Sequence, residues 1–447
     1  MSIYFDHSAT TPVDKRVLEE MMPYFREKYG NPSSIHSFGQ EALSGVDKAR
    51  SRLAEFLNSK TEEIVFTSGA TESNNLVLKG VIKTLTPEPE KKVGSGECMD
   101  ITREDVKKAK EKGGSWKDWF KKEEAEKAKF HIITTSIEHK SVLEPCAELE
   151  KQGVEVTYLP VDKEGFVSAE DLEKAIQPNT VLVSTMYVNS EIGSIQPVRE
   201  IGKVIKKVNE NKYKDWQKQG ARRKEPKPQP VYFHIDATQA VNFLNCDVDY
   251  LHVDFLSLSG HKIYGPKGVG ALYVRKGSRI KGVQVGGGQE GKIRSGTLNT
   301  PGIVGLGKAI SLISKEKQEA NNKRIAALRD KLVKGVKEKI KDVVLTTNRD
   351  KSTPSHAHFL FKGVEGEALL MSLDLEGIAI STGSACASKD LHSSHVLKAM
   401  GVSAEDSNNA ARFTLGKHTT EEDIDKVLEK LPPIIERIRK MNPIYNK

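Results

Sequence analysis

Seven short apolar runs recur through the first two-thirds of the chain, with helical stretches between several of them. The runs are "EIVFTSG", "HIITTSI", "VEVTYLP", "TVLVSTMYV", "VYFHID", "VDFLSLS" and "GALYVR". All seven read as buried strands, while "SAEDLEKAI" and "VREIGKVIKKV" read as amphipathic helices. Strands that alternate with helices fold as an α/β domain on a mainly parallel sheet. After about Thr300 the pattern changes to a long helix, expected roughly from Val304 to Ile340, then strands, a loop and terminal helices. That change predicts a second, smaller α+β domain.

A length of 447 residues suggests two or three domains. No apolar run approaches the roughly 20 residues needed to span a bilayer. The start, "MSIYFDHSATTP", has neither the basic beginning nor the apolar core of a secretion signal. Four scattered cysteines (Cys98, Cys146, Cys246 and Cys386) show no metal-like spacing, so neither a zinc site nor a disulfide framework is expected. The expected compartment is cytoplasmic. Net charge is +8, but residues 206–228 alone hold nine Lys/Arg against three Asp/Glu. Most of the imbalance is one segment, which argues against nucleic acid as the main partner.

Two segments break the strand–helix rhythm. Residues 86–129 and 209–230 are charged, punctuated by Pro and Gly, and contain all three tryptophans: Trp116, Trp119 and Trp216. Each leads into a strand, at the end opposite a parallel sheet's ligand-binding rim. They are therefore expected to form an appendage packed through the tryptophans rather than a lid over a site.

Chemistry is expected at the carboxyl ends of the strands. "EIVFTSGATESNNL" runs from a strand through Gly69 into a helix, and its small residues allow an anion to approach the amides at Ala70 and Thr71. "VYFHIDATQ" ends a strand on the carboxylate of Asp236, and "VDFLSLSGHKIYGPKG" ends the next on Ser259, His261 and Lys262. Anion cup, buried acid and near-buried lysine in that order match the needs of pyridoxal phosphate. Its phosphate must be held, its ring nitrogen kept protonated, and its aldehyde carried by an amine.

With these motifs, the chain resembles the cysteine desulfurases of the NifS/IscS-like group, which are pyridoxal-phosphate enzymes of the class V aminotransferase fold. The resemblance rests on "DHSATTP", "GNPSSIHSFG", "EIVFTSGATESNNL", "EHKSVL", "VNSEIG", "HIDATQ", "SLSGHKIYGPKGVGALYV", "IRSGTLNT", "STGSACAS" and "ARFTLGKHTTEEDID". It implies an aspartate-aminotransferase-like α/β fold with a mainly parallel seven-stranded sheet. The large domain would be residues 16–319 with the two inserts, and the small one residues 1–15 and 320–447. It further implies that Lys262 carries the cofactor and moves the substrate α-proton. Ala70, Thr71, Ser259 and His261 would hold the phosphate, joined by Thr297 of a second subunit in a homodimer. Asp236 would face the ring nitrogen, Gln239 the ring hydroxyl, and His139 would stack on the ring and assist proton transfer. Arg412, assisted by Asn31, would grip the substrate carboxylate. Where the family commonly reads "VNNE", this chain reads "VNSE", so Ser190 replaces an asparagine and Asn189 is the residue expected to compensate.

The resemblance also explains "ISTGSACASKD", in which Cys386 sits among small residues with nothing bulky to pin it. Its thiolate would take sulfur from L-cysteine as a persulfide, release alanine and carry the sulfur outward, as in the long-loop desulfurases. The implied acceptors are proteins of iron–sulfur assembly, such as a scaffold, or of tRNA thiolation. A selenocysteine lyase or a class V aminotransferase would keep Lys262 and Asp236 without needing Cys386. No metal ligand set is expected.

Overall fold

The computed structural model describes residues 2–86, 130–220, 226–382, 393–442 and Tyr445. Its centre is a seven-stranded sheet in the order β2-β8-β7-β6-β5-β3-β4. These strands are β2 (Ile64–Thr67), β3 (His131–Thr135), β4 (Glu155–Leu159), β5 (Thr180–Met186), β6 (Tyr232–Asp236), β7 (Phe255–Ser259) and β8 (Gly270–Val274). Only β8 runs against its neighbours; the other pairings are parallel. The expected α/β class and mainly parallel sheet are what the chain forms. All residues of β3, β5, β6 and β7 are buried, because helices cover both faces of the sheet. Two buried histidines are tolerated inside it because neighbouring hydroxyls satisfy them. His131 bonds Thr180 and Thr157, and His234 bonds Ser184 and Ser257, at 2.7–2.9 Å.

A separate core gathers around Phe5, Phe359, Phe361 and Phe413. It contains the antiparallel sheet β12-β10-β9, formed by Val343–Leu345 (β9), His356–Phe361 (β10) and Ala410–Thr414 (β12). The short strand Ile3–Tyr4 (β1) joins it by pairing in parallel with Ile378–Ala379 (β11).

The single helix expected from Val304 to Ile340 is two helices, Thr300–Ser311 and Lys315–Lys339. Ser314 caps the second by accepting the Lys317 amide. Ile303, Leu306 and Ile310 of the first helix enter the core of the large sheet, while Ile325, Leu332 and Val336 of the second enter the phenylalanine core. The break lies where the chain leaves one core for the other, and continuous apolar spacing concealed it.

The insert expected to start at Asn209 begins inside a helix. Val198–Asp215 is helical and continues into a wider turn at Trp216–Gly220. Its buried face is Val198, Ile201 and Ile205. Beyond that, Asn209 bonds both backbone groups of Val231 at 2.8 and 2.9 Å, and Tyr213 stacks on Trp216 with centroids 5.6 Å apart. Trp116, Trp119 and nearly all of the first insert lie outside the described residues. The strands fed by the two inserts, β3 and β6, are separated by β5 alone.

Candidate active site

One cavity of about 980 Å³ opens at the carboxyl ends of the parallel strands and collects most of the expected site residues. β2 leads through Gly69 into the helix Ala70–Leu85, whose first turn faces the cavity. Gly69 has φ +152°, and a Cβ there would meet only the Ser259 hydroxyl, at 3.7 Å, so a side chain would stand in open space before the helix N-terminus. The first amides of an α-helix have no intrahelical acceptor, which makes this an anion cradle. Glu72 in that first turn would repel an anion, but Arg294 pairs with it at 2.8 Å.

Asp236, at the end of β6, is buried with its two carboxylate oxygens separately held. Oδ1 accepts the Thr238 amide at 2.9 Å and Oδ2 accepts Asn74 Nδ2 at 2.8 Å. β7 ends on Ser259, and the tight turn Gly260–Lys262 then swings Lys262 under the N-terminal segment. Its Nζ donates to the carbonyls of Ser8 and Ala9 at 2.5 and 2.6 Å. Gln239 Nε2 donates to the same Ser8 carbonyl at 2.9 Å. Burial, with the charges of Lys262 and Lys267, pushes the His261 pKa down to about 4, so the ring is neutral at pH 7.

Arg412 on β12 forms the opposite wall. Nη2 pairs with Asp6 at 2.7 Å and Nη1 donates to the Ser190 carbonyl at 3.0 Å. A guanidinium has two N–H on each Nη, so one on each is left for a planar carboxylate. His356 and His358 lie beside it on β10, and burial followed by the Arg412 charge pushes both down to about 3. They therefore add no competing positive charge.

The loop after β5 is held by a side chain of its own. Asn189 is 1% exposed and its amide is committed to the backbone: Nδ2 donates to the Ile137 carbonyl, and Oδ1 accepts the amides of Glu191 and Ile192. It shapes the loop, and both it and Ser190 line the cavity. Ser190 contributes through its carbonyl, which accepts Ser8, Arg412 and His356.

Asn31 and Thr297 are exposed and do not line this cavity; the Asn31 carboxamide accepts the Ser33 amide at 3.0 Å. Cys386 lies outside the described residues. The segment that follows it re-enters at Ser393 and Ser394 on the cavity wall. Ser394 donates to buried Glu191 at 2.8 Å, and the His395 ring bonds the Glu138 carbonyl at 2.8 Å.

Several participants carried no individual signal in the sequence: Asp6, Ser8, Asn74, Glu138 and Glu191. Asp6, Ser8 and Asn74 lie within "DHSATTP" and "ATESNNL", but their partners are distant in sequence. Glu138 is fully buried, and burial pushes its pKa up to about 8 despite hydrogen bonds from Thr135 and Met186.

These residues fit pyridoxal phosphate. The glycine-fronted helix end with Ala70, Thr71, Ser259 and His261 would hold its phosphate. Asp236 would hold the ring nitrogen, and Lys262 the aldehyde carbon. When bound, the cofactor supplies an electron sink for charge developed at the substrate α-carbon.

Comparison with known proteins agrees with this architecture. The family model described as "Aminotransferase class-V" matches residues 3–95, 120–213 and 221–427. The chain is 42% identical over 441 residues to "Cysteine desulfurase IscS" of Dictyoglomus turgidum, covering 99% of this chain and 96% of that protein. It is 39% identical over 446 residues to a "Cysteine desulfurase" of Homo sapiens, covering 99% and 84%. A solved structure described as "NIFS-LIKE PROTEIN" superposes with a TM-score of 0.79 at 37% identity, covering 98% of this chain and all of that one. Another, "SspA in complex with cysteine", gives 0.71 at 34% identity, covering 94% and 100%. The family model and the full-length relatives agree, and the chain belongs to the class V aminotransferase family.

Proposed function

We propose that the protein is a pyridoxal-phosphate-dependent cysteine desulfurase, converting L-cysteine to L-alanine and passing the sulfur to Cys386. The observation that carries the reading is the convergence of Lys262, Asp236, the Ala70–Thr71 cradle and Arg412 on one cavity. The chain also matches a cysteine desulfurase along nearly its whole length.

Arg412, held by Asp6 and the Ser190 carbonyl, takes the substrate carboxylate and sets the α-carbon against Lys262. Lys262 accepts the α-proton at Nζ and later returns a proton to carbon. His139, on the cavity wall, would lie against the cofactor and move protons at the substrate sulfur and amine. The Cys386 thiolate attacks the substrate sulfur; the C–S bond breaks with its electron pair left on carbon, a proton follows, and alanine leaves. Cys386 then holds the persulfide. Its sulfur is handed to an acceptor protein, an iron–sulfur scaffold being the acceptor class that the IscS likeness favours.

A homodimer completes the site. Leu18, Met22, Phe25, Tyr29, Ile35 and Phe38 are all 48% or more exposed within one short stretch, and a second copy would cover them. Asn31 and Thr297, both exposed, would then serve the partner's cavity. The two cores support two domains, residues 16–319 and residues 1–15 with 320–447. Among the described residues no helix is long and apolar enough to cross a membrane, and Cys146 and Cys246 are free and buried, in keeping with a reducing cytoplasm.

The test is to measure alanine and sulfide formed from L-cysteine with a reductant, in wild type and Cys386→Ala. Equimolar products lost in the variant support the desulfurase. A cofactor-loaded wild type that makes neither product sinks it and favours the aminotransferase alternative, and alanine formation that survives in Cys386→Ala favours the lyase alternative.

A further inference from the structure

Asn74 is completely buried on the helix Ala70–Leu85 behind the cavity, and it uses its polar atoms unequally. Both Nδ2 hydrogens are placed, one on Asp236 Oδ2 at 2.8 Å and one on Ser141 Oγ at 2.9 Å. Its Oδ1, equally buried, has no partner. A buried acceptor left unpaired costs on the order of 1–3 kcal/mol. A side chain kept there only for packing would more cheaply be apolar, so two donors in one place are what the position requires.

The direction of each hydrogen bond follows from chemistry. A carboxylate oxygen accepts, so the amide nitrogen of Asn74 faces Asp236. The same nitrogen faces Ser141 Oγ, which therefore accepts and turns its own hydrogen to its other neighbour, His139 Nδ1, 2.8 Å away. His139 Nδ1 also accepts the Ser141 backbone amide at 3.1 Å. With two donors aimed at Nδ1, that nitrogen accepts and the ring hydrogen sits on Nε2, on a residue that lines the cavity.

We infer that Asn74 and Ser141 are positioning residues: they join Asp236 to His139 in one hydrogen-bonded unit and fix His139 as the tautomer with its hydrogen on Nε2. Resting on the desulfurase reading, this assigns His139 a donor edge toward the substrate amine and sulfur. It also makes that edge depend on Asp236, the residue that faces the cofactor nitrogen. The two groups that approach the cofactor ring are set by each other.

The test is a mutant cycle in the cofactor-loaded enzyme, using Ser141→Ala, Asn74→Leu and His139→Gln singly and in pairs. Three quantities are followed: kcat for alanine formation, the absorption spectrum of the bound cofactor, and the histidine ¹⁵N spectrum, with His139 assigned by its absence from His139→Gln. Each of Ser141→Ala and Asn74→Leu is expected to lower kcat about tenfold, the scale of one lost hydrogen bond. In the His139→Gln background Ser141→Ala should cost less than about twofold, since residues acting through one another are not additive. Asn74→Leu should also shift the cofactor spectrum by loosening Asp236, while Ser141→Ala leaves it in place and broadens the His139 tautomer population. Folded variants with an unchanged His139 ¹⁵N spectrum, or losses that simply add to that of His139→Gln, overturn the inference. If wild type forms no alanine at all, the desulfurase reading fails, but the two spectra still decide whether the unit exists.

Discussion

On the sheet side of the cavity, Asp236, Lys262 and the Ala70 turn are each delivered within three residues of a strand end. On the opposite side, Arg412 is steadied by Asp6, 406 positions away in sequence. The first wall is local: once the strands pair, their ends bring the groups together. The second wall exists only when the N-terminal segment, the loop after β5 and β12 have met. In the proposed function, cofactor chemistry would fall to the more locally specified half, and substrate grip to the half that needs long-range assembly.

Perturbing each wall should give different signatures. Lys262→Ala should have the largest effect, with alanine formation down by about a thousandfold or more, since it removes both the cofactor anchor and the proton carrier. The fold should persist, because Lys262 belongs to neither hydrophobic core; unchanged turnover would break the assignment.

The walls should also titrate in opposite senses. Glu138, on the sheet side, has its pKa raised to about 8 from the ordinary 4.5, so the native state holds more protons than the unfolded chain between those values. It therefore withdraws stability as pH rises through that window. His356 and His358 are pushed down to about 3 from 6.5, so the unfolded chain binds more protons there and stability is lost as pH falls below about 6.5. The unfolding free energy of Glu138→Gln relative to wild type, read from denaturant titrations, should rise at pH 8 by a few kcal/mol more than at pH 5. A parallel shift at both pH values would refute the burial of that charge.

Arg412→Lys should raise KM for cysteine by a few tens of fold and alter kcat less, because an ammonium cannot present the planar fork. An equal fall in kcat with KM unchanged would move Arg412 out of the ground-state contact. The smallest effect is expected from Asp6→Asn, about a threefold to tenfold rise in KM, as the guanidinium loses one charged support but keeps the Ser190 carbonyl. If Asp6→Asn matched Arg412→Lys, the support and the grip would have to be one function.

The same division governed what the sequence disclosed. Strands buried on both faces announce themselves as continuous β-branched runs, and in a parallel sheet their carboxyl ends locate the chemistry, so Asp236, Ser259 and Lys262 could be placed from local pattern and motif. Asn74, Ser141 and Asp6 could not, because each acts through a partner that folding alone brings near. The break before Lys315 was hidden for a related reason: apolar spacing is the same whether a helix serves one core or two. Asn189 shows the converse limit. Its place in the "VNSEIG" motif suggested a ligand contact, and the motif did not disclose that its amide holds the turn that presents the Ser190 carbonyl.

The pairing of Asp6 with Arg412 sets a timetable. During synthesis the strands of the large sheet emerge and can pair long before residue 412 exists. Throughout that interval the Asp6–Ser8 segment has no β12 against which to settle. Cofactor-holding groups can form on a nascent chain, but the carboxylate grip can form only after β12 has been made. A chain interrupted before that strand would hold the cofactor-side groups without the means to seat cysteine, so cysteine capture waits on the far end of the fold.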